Sequence, residues 1–571
     1  MSERARPPRR VGNSKSDELV FMALGGLGEI GMNVYLYGYG PANARSWLMV
    51  DLGVTFPNDS EPGADVVLPD LRFIIADRKN LVGLVLTHAH EDHIGAVIDL
   101  WPSLECPIFA TPFTAGMVKT KLGEYGRTQS LPIREVPLGG RFQVAPFDVE
   151  FVSLTHSIPE PSGLAIRTPA GLVFHTGDWK LDSAPVVGRP PDEARLKALG
   201  DEGVLAMVGD STNAMREGRS PSEADVGKSL TKIIAGAPRC VAVTGFASNV
   251  ARLASIAEAT RAAGRTLVVA GRALHRIIEV ATETGYLPKN FTYLDQQRFS
   301  DLPRDKVVVM CTGSQGEVRA AVARIAADEH PDISLDKGDL VIFSSRTIPG
   351  NEKPVARVQN GLARLGVDLI TDAEALVHVT GHPRRDELKD MYAWLRPKIA
   401  VPMHGEARHL KEHAKLARSC GVDETFTIID GEILKLWPGP AAIIDEAPVG
   451  RLYRDGNLIV PDAEGPVKAR RKLSFAGIAV VSLALSRRGE ILGEPGVALE
   501  GIPAADRDGE SMYDIVLDAI DGTLRSIPGK RRGDLAMVQE AVQRTVRSAI
   551  NEAWGKKPVV KVLLSVVETR G

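Results

Sequence analysis

Short apolar runs alternate with helical stretches and glycine-rich turns along the chain from Val20 onward. This alternation is typical of a layered α/β protein. Six of the apolar runs end just before a polar residue that can bind metal. These residues are Asp51, His88, His156, Asp178, Asp210 and His404. Because strand ends of one sheet can converge on one edge, we predict that the six side chains assemble one site at a sheet edge.

Between residues 221 and 375 the alternation continues without that polar pattern, which indicates a second α/β domain inserted before the first one closes at His404. Near the end, apolar residues recur at helical spacing from Leu535 to Trp554, and Val559–Val567 is β-like, which predicts a small packed tail domain. The predicted order is a flexible basic tail (1–18), the first domain (19–220), the inserted domain (221–375), the rest of the first domain (376–450), a linker (451–472) and a C-terminal α/β domain (473–571).

Composition narrows the classes of protein to consider. The 571 residues are 44% hydrophobic and 25% charged, with a formal net charge of -3. No stretch of about 18 unbroken apolar residues occurs, which disfavours a membrane span. The four cysteines form no CxxC pair, so neither a thiolate zinc site nor a disulfide framework is indicated. The arginine-rich N-terminus lacks the apolar core of a signal peptide, and we therefore expect a cytoplasmic protein. Nucleic acid stays open as a partner, since one basic face can sit on a neutral protein.

The segment Thr87–Gly95 carries the strongest chemical signal, the motif H-x-H-x-D-H. His88 and His90 are two apart on an extended segment, so their side chains leave on the same side. Asp92 and His93 follow at the predicted start of a helix that runs on to Leu100. The motif thus offers two ligand sets, and imidazole with carboxylate suits Zn²⁺ or Mn²⁺.

These residues resemble known families at increasing levels of detail. The motif, the lone His156, a Gly-Asp after a strand and the late His404 are similar to the metallo-β-lactamase superfamily. The insertion, Asp210 and His382 resemble its β-CASP nuclease branch. The opening Ala23–Gly31 and the run Val50–Gly53 closely resemble the bacterial ribonuclease J family, as does the tail domain. The resemblance implies a metallo-β-lactamase αββα sandwich with an inserted β-CASP α/β domain and a small C-terminal α/β domain.

For the metal site, the resemblance implies two divalent ions, with Zn²⁺ as the first candidate and Mn²⁺ or Mg²⁺ as alternatives. One ion would be held by His88, His90, His156 and Asp178, and the other by Asp92, His93, Asp178 and His404. Asp178 would bridge the two as part of the catalytic machinery. His382 would protonate the leaving 3′-oxygen, unless it is a structural histidine, and Asp210 and Asp51 would orient other groups. The resemblance also implies a structural Ca²⁺ at Gly63 and Asp65.

For the substrate, the resemblance implies a pocket for a 5′-monophosphate nucleotide, built from Phe246, Ala247, Ser248, His378, Val379, Thr380, Gly381 and His382. We predict that Thr380–His382 opens a helix whose N-terminus binds phosphate and that Phe246 stacks on a base. Taken singly, residues of these types are more often a helix N-cap or a core aromatic. The turn Thr312–Gly316 leaves two interpretations open, an RNA groove or a tight helix start.

The predicted activity is 5′→3′ exonucleolytic hydrolysis of single-stranded RNA with 5′-monophosphate ends, together with endonuclease activity, in RNA decay and in rRNA and mRNA processing. A homodimer or homotetramer is implied, and other RNA-degradation proteins are candidate partners. Three alternatives stay open from the sequence. A β-lactamase or thioesterase shares the metal motif but has no use for the inserted domain. A DNA nuclease of the same branch shares more, and a scaffold in an RNA-degradation assembly is a third.

Overall fold

The computed structural model describes residues 16–124, 126, 130–462, 465–486 and 490–567. The predicted basic tail, 1–18, lies almost wholly outside these residues. The chain divides into two compact units. The first comprises the chain up to Thr55 together with Val67–Arg451, and the second comprises Phe56–Val66 together with the chain from Leu452 onward. Among the described residues, no helix is both long and apolar enough to traverse a bilayer.

Two β-sheets form the centre of the first unit. Within the described ranges, the larger has eight strands, in the spatial order Ala442–Glu446, Glu432–Trp437, Glu18–Gly25, Val34–Gly40, Ser46–Val50, Leu81–Val85, Ile108–Ala110 and Ile133–Glu135. The other has seven, in the order Glu424–Thr425, Ile399–Met403, Val204–Asp210, Gly171–His175, Ser162–Thr168, Phe147–Ser153 and Arg141–Val144. The accompanying helices are Arg72–Ala76, Glu91–Ile94, Val97–Leu100, Pro112–Glu124, Glu193–Glu202, Arg385–Leu395 and Ala407–Ser419.

Apolar side chains from both sheets meet in one buried core. Phe21 and Val85 of the eight-stranded sheet belong to the same cluster as Phe151 of the seven-stranded sheet. The next residue, Val152, belongs to another cluster that includes helical residues such as Met391. Successive side chains of a strand point to opposite faces, so one strand serves the inner core and the outer helix layer. This arrangement is the predicted αββα sandwich.

The six predicted strand ends lie in two sheets rather than one. The strands that precede Asp51 and His88 belong to the eight-stranded sheet, and those that precede the other four residues belong to the seven-stranded sheet. The prediction of a single sheet edge was therefore wrong. The apolar pattern of a strand shows that both of its faces are buried, but it carries no information about which sheet the strand joins.

The inserted domain has a parallel sheet of its own. Its strands, within the described residues, are in spatial order Leu294–Asp295, Thr266–Ala270, Val307–Cys311, Val241–Thr244, Leu340–Phe343 and Asp368–Ile370. Its helices are Glu223–Gly236, Val250–Ala262, Arg272–Glu283, Ala321–Ala326 and Glu352–Arg364. Buried Val309, Val341 and Leu362 pack together in its core, as expected for a parallel sheet covered on both faces.

The second unit contains the C-terminal α/β fold. Its sheet has the order Gly496–Glu500, Ile478–Ser486, Val559–Val567, and its long helices are Met512–Ser526 and Leu535–Trp554. The latter matches the predicted helical stripe, and Val538, Val542, Val546 and Ile550 are buried on one face. Residues 451–472, predicted as a linker, hold the hairpin of Arg451–Asp455 with Leu458–Pro461 and the first part of helix Pro466–Ala476. The domain boundaries themselves stay a prediction.

Candidate metal centre and nucleotide pocket

The seven predicted metal ligands come together in space. Among the described residues they form two groups of four, in which the ligand atoms lie within 4.8 Å of one another. The members are His88, His90, His156 and Asp178 in one group, and Asp92, His93, Asp178 and His404 in the other. Asp178 belongs to both. These are the two sets that the family resemblance implies, and their role as ligands stays a prediction.

The helix of the metal motif is shorter than the sequence predicts. It is divided into Glu91–Ile94 and Val97–Leu100. The Asp92 carbonyl already accepts hydrogen bonds from the backbone and side-chain amides of Asn33, each at 3.0 Å. The N–H of Ala96, which would bond that carbonyl in a continuous helix, bonds a carbonyl outside the helix instead. Sequence reasoning missed Asn33, although it stands only two residues after the glycine-rich opening Ala23–Gly31.

Hydrogen bonds on the outer ring nitrogens orient the histidines toward the centre. His156 Nδ1 donates to the Gly381 carbonyl at 2.6 Å, so its Nε2 presents a lone pair inward. His93 Nδ1 lies 2.7 Å from Asp51 Oδ2. Asp51 also accepts the Thr87 hydroxyl, and the oxygen of that hydroxyl lies 3.0 Å from His88 Nδ1. Such outer partners fix the tautomer of metal-binding histidines.

The ring nitrogens that point into the cluster are better suited to binding a cation than to hydrogen bonding with one another. His90 Nδ1 lies 3.1 Å from His88 Nε2 and 3.0 Å from His156 Nε2. The Nδ1 atoms of His88 and His156 both act as donors, so the Nε2 atoms of these neutral rings carry no hydrogen. Among these two Nε2 atoms and His90 Nδ1, at most one hydrogen is therefore present. Asp178 Oδ1 is buried and has no hydrogen-bond partner among the described residues. Since a buried, unpaired carboxylate oxygen is costly, the donor set fits a divalent cation.

The pKa values of the first group of histidines keep them available as neutral ligands. Burial, followed by the charges of neighbouring histidines, holds the pKa of His88 and His156 well below the usual range. Burial also lowers the pKa of His90, to about 4, although Asp92 and Asp178 oppose the shift. Neutral imidazole is the form that binds a metal ion.

In the second group the carboxylates dominate. Burial lowers the pKa of His93, but the negative charges of Asp178, Asp92 and Asp51 outweigh it and raise the pKa to about 10. The pKa of His404 is likewise raised, against burial, chiefly by Asp178. His404 Nε2 lies 3.1 Å from Asp178 Oδ2. The same field that favours protons on these rings favours metal cations in their place.

His382 lies at the edge of the cluster. Its Nδ1 is 2.8 Å from Asp210 Oδ2 and 3.9 Å from Asp178 Oδ2. Burial lowers the pKa of His382, but Asp210 and Asp178 reverse the shift and raise it. Asp210, His382 and Asp178 form a third group of converging atoms among the described residues. All three predicted catalytic residues are therefore adjacent.

The predicted pocket residues come from two loops. Phe246, Ala247 and Ser248 lie between strand Val241–Thr244 and helix Val250–Ala262, as predicted, and all three are half-buried. The rings of Phe246 and His378 are 6.4 Å apart. Val379 is buried, and the Thr380 hydroxyl accepts a hydrogen bond from Asn213 at 2.8 Å.

The segment Thr380–His382 does not open a helix, so that prediction was wrong. The helix begins at Arg385. Pro383 follows His382 directly, and a proline disfavours the α conformation of the residue before it. A phosphate here would contact a loop and side chains rather than the first turn of a helix.

The turn Thr312–Gly316 is not a tight helix start either, because the next helix begins only at Ala321.

The predicted calcium residues lie apart from the metal cluster in sequence and already have protein partners. Asp65 accepts the Gly456 amide at 2.9 Å, and the Gly63 carbonyl accepts an arginine side chain at 3.4 Å. The calcium site stays a prediction.

Comparisons with known proteins agree with this geometry. Four family models match the chain: a Beta-lactamase superfamily domain (residues 61–195), the Ribonuclease J, beta-CASP domain (238–362), a Zn-dependent metallo-hydrolase RNA specificity domain (366–428) and the Ribonuclease J C-terminal domain (465–567). Ribonuclease J of Sinorhizobium meliloti is 52% identical over 554 residues, which cover 97% of this chain and 98% of the relative. The chain belongs to the ribonuclease J family.

Further members of the ribonuclease J family are more distant. The one from Corynebacterium glutamicum is 37% identical over 97% of this chain and 76% of its own length. A protein of unknown function from Enterococcus faecalis V583 has a TM-score of 0.51 at 18% identity, over 73% of this chain and all of that one. The last likeness shows the fold alone. Membership of the family establishes a metal-dependent ribonuclease, which excludes a β-lactamase, a thioesterase and a mere scaffold.

Proposed function

We propose that this enzyme is a two-metal 5′→3′ exoribonuclease that prefers 5′-monophosphate ends and also cleaves internally. The two ions, Zn²⁺ or alternatively Mn²⁺ or Mg²⁺, would be held by the two ligand groups that share Asp178. The proposed setting is RNA decay and rRNA and mRNA processing in the cytoplasm, with the enzyme acting as a homodimer or homotetramer.

One observation carries the proposal: the segment His378–His382 joins the pocket to the metal cluster. At one end His378 faces Phe246. Near the other end the Gly381 carbonyl accepts the hydrogen bond of His156 Nδ1, and His382 bonds Asp210. Five residues thus connect a base-binding surface with the cluster. A terminal nucleotide held at the first end would present its next phosphodiester bond near the second.

His378 supports a ligand at this place. Its Nδ1 is buried and has no hydrogen-bond partner among the described residues. Burial, together with the charge of Arg252 and Arg346, lowers the pKa of His378 to about 3, so the ring is neutral. A neutral, unsatisfied ring nitrogen beside an aromatic ring suits a nucleotide, whose base stacks and whose polar groups donate or accept.

His382 is the candidate general acid. Bound divalent ions would supply Lewis-acid polarisation of the phosphoryl group and an activated water nucleophile. With Nδ1 engaged by Asp210, the Nε2–H of His382 is the hydrogen that can pass to a leaving 3′-oxygen. Asp210 is fully buried and accepts the hydrogen bond from the His382 ring. Its proposed role is therefore to orient His382 and to stabilise its protonated form.

The test compares one RNA sequence with a 5′-monophosphate, a 5′-triphosphate and a 5′-hydroxyl end, labelled at its 3′ end. We expect the labelled RNA to shorten progressively from its 5′ end, fastest for the monophosphate, and little hydrolysis of the matching single-stranded DNA. Equal rates for the three 5′ ends would refute the 5′-end preference. His382→Ala should retain metal and lose turnover, whereas His275→Ala, at a half-buried position in the inserted domain, serves as the matched control. Loss of metal in His382→Ala would refute the acid role.

A further inference from the structure

Three arginines surround the segment His378–His382. Arg346 is exposed, and Arg216 and Arg384 are partly buried. Within the described part of the chain, none of the three side chains has a carboxylate within 4.0 Å. The Nε atom of Arg384 is buried without a hydrogen-bond partner. Buried or crowded guanidinium groups are normally paired with an anion, so this cluster suits an anionic ligand.

The protein backbone fixes the three arginines near one another. The Arg216 carbonyl accepts the Arg385 amide at 3.0 Å, which places Arg216 beside Arg384. Ser344, two residues before Arg346, donates its hydroxyl to the Val377 carbonyl at 2.7 Å. The loop of Arg346 is thus attached to the residue that precedes His378.

The turn Thr312–Gly316 supports the same loop. The Gln315 side chain donates to the Arg346 carbonyl at 2.9 Å and accepts the Ile348 amide at 2.8 Å. Gln315 is itself buried, so it fixes the loop from the protein interior. This gives the turn a role in shaping the arginine surface, without requiring that the turn itself bind phosphate.

The charges of the cluster repel one another. Burial, and then the guanidinium groups of Arg346 and Arg384, lowers the pKa of Arg216, and Asp372 offsets only part of this. A fold that accepts such repulsion at an open position gains stability when an anion binds.

The surface beside the arginines is open rather than closed. Met215, next to Arg216, is 48% exposed, and Ile348 is 45% exposed. Exposed apolar side chains beside arginines suit a polynucleotide, whose bases bury apolar surface while its phosphates meet the cations. An open surface accepts a continuing chain, whereas a terminal phosphate is better held in a closed pocket.

We propose that Arg216, Arg346 and Arg384 form a binding site for internal phosphates of single-stranded RNA. The site would guide the chain that continues beyond the nucleotide held at His378, so the inference rests on the proposed placement of the RNA 5′ end. It predicts that these arginines contribute to affinity through counter-ion release, in a manner independent of base sequence.

The test is equilibrium binding of a 12-nucleotide RNA to the metal-loaded enzyme, measured by fluorescence anisotropy across a range of salt concentrations. Phosphorothioate linkages slow hydrolysis and keep the backbone charge. Removing one cation that neutralises a phosphate of a single strand lowers the slope of log affinity against log salt by about 0.7. Arg346→Gln should show this decrease, Arg346→Gln with Arg216→Gln about twice as much, and Arg346→Lys a slope close to that of the wild type.

The matched control is Arg364→Gln. Arg364 is exposed in the same domain, at the far end of the helix Glu352–Arg364 that follows the Arg346 loop, and its slope should not change. The RNAs in the main series carry a 5′-hydroxyl, so failure of the proposed 5′-end preference would not affect that result, and a second series carries a 5′-monophosphate. An unchanged slope for Arg346→Gln would overturn the proposal. So would a decrease seen only when a 5′-monophosphate is added, which would assign the cluster to the terminal phosphate.

Discussion

Replacing Asp51 by asparagine should weaken metal binding and leave the fold intact. Asp51 is fully buried and accepts three hydrogen bonds: from the Thr87 amide and hydroxyl at 2.8 Å each, and from His93 Nδ1 at 2.7 Å. Its backbone has a φ of 60°, a left-handed conformation that asparagine tolerates better than most residues. Asn is therefore a near-isosteric change that removes the charge and one acceptor.

The magnitude follows from the two orientations open to the amide. If its oxygen faces the Thr87 amide, its NH₂ faces His93 Nδ1 and forces the ring hydrogen onto Nε2, which lies 3.2 Å from Asp178. That tautomer cannot bind a metal. If the amide is flipped, two N–H donors face each other. Either conflict costs about 1.5–3 kcal/mol. The metal-free protein bears less of the cost, because there His93 Nε2–H can donate to Asp178, although the Asn33 side-chain nitrogen also lies 3.0 Å from Nε2. Metal affinity should fall about 10- to 100-fold.

The assay is competition of each variant with a chelating dye for Zn²⁺, with the unfolding temperature of the metal-free protein measured in parallel. Asp339→Asn is the matched control. Asp339 is also fully buried, and it accepts the Cys240 and Asp336 amides in the inserted domain. That variant should lose stability and keep its metal affinity. Zn²⁺ affinity of Asp51→Asn within twofold of the wild type would refute the tautomer argument, and so would an equal loss in Asp339→Asn.

Two further predictions concern the support of the site. A Cβ at Gly26 (φ +94°) would lie 2.5 Å from Tyr35 Oη and 2.7 Å from Asn33 Oδ1. Gly26→Ala should therefore destabilise the protein by about 2–5 kcal/mol through backbone strain and overpacking. Gly28 has a similar φ but open space around its Cβ position, so Gly28→Ala should destabilise the protein less, and equal melting temperatures of the two variants would contradict the clash. Burial and a neighbouring carboxylate raise the pKa of Asp430 to about 7, so its stabilising contribution is complete below the unfolded pKa near 4 and is lost as the pH rises through 7. The free energy of unfolding of Asp430→Asn relative to the wild type should therefore rise between pH 5 and pH 7.5, by at most about 4 kcal/mol. A constant difference in melting temperature over that range would show the shift to be absent.

The convergence of the predicted metal ligands could be predicted because the signal is local. A buried strand shows in its apolar residues, and a ligand directly after it must emerge at the strand end. From the sequence alone, that reasoning predicts that His88, His156, Asp178 and His404 converge, and their side chains do lie within one cluster. It does not distinguish the two sheets, since sheet membership depends on pairing between residues far apart in sequence.

The wrong prediction of the motif helix arose because a distant group competes for a local hydrogen bond. The motif helix ends early because Asn33 occupies the Asp92 carbonyl, and nothing near Asp92 in the sequence signals that competition. By contrast, the late start of the helix at Arg385 could have been predicted, because Pro383 is visible in the sequence and restricts the preceding residue.

The position of His382 depends on a residue whose role no motif indicates. Glu387 is fully buried, and its carboxylate accepts the amides of Leu181, Ser220 and Arg384, each at 2.9 Å. It thereby joins the chain after Asp178 to the turn that carries His382. The inserted domain separates these segments along the chain, so spacing cannot predict their approach. The buried Glu387 carboxylate connects these segments by accepting three backbone amides. Without it the three amides would be left unsatisfied, which is costly in a buried position. The placement of His382 thus relies on an acidic residue that the sequence presents only as part of a helix's first turn.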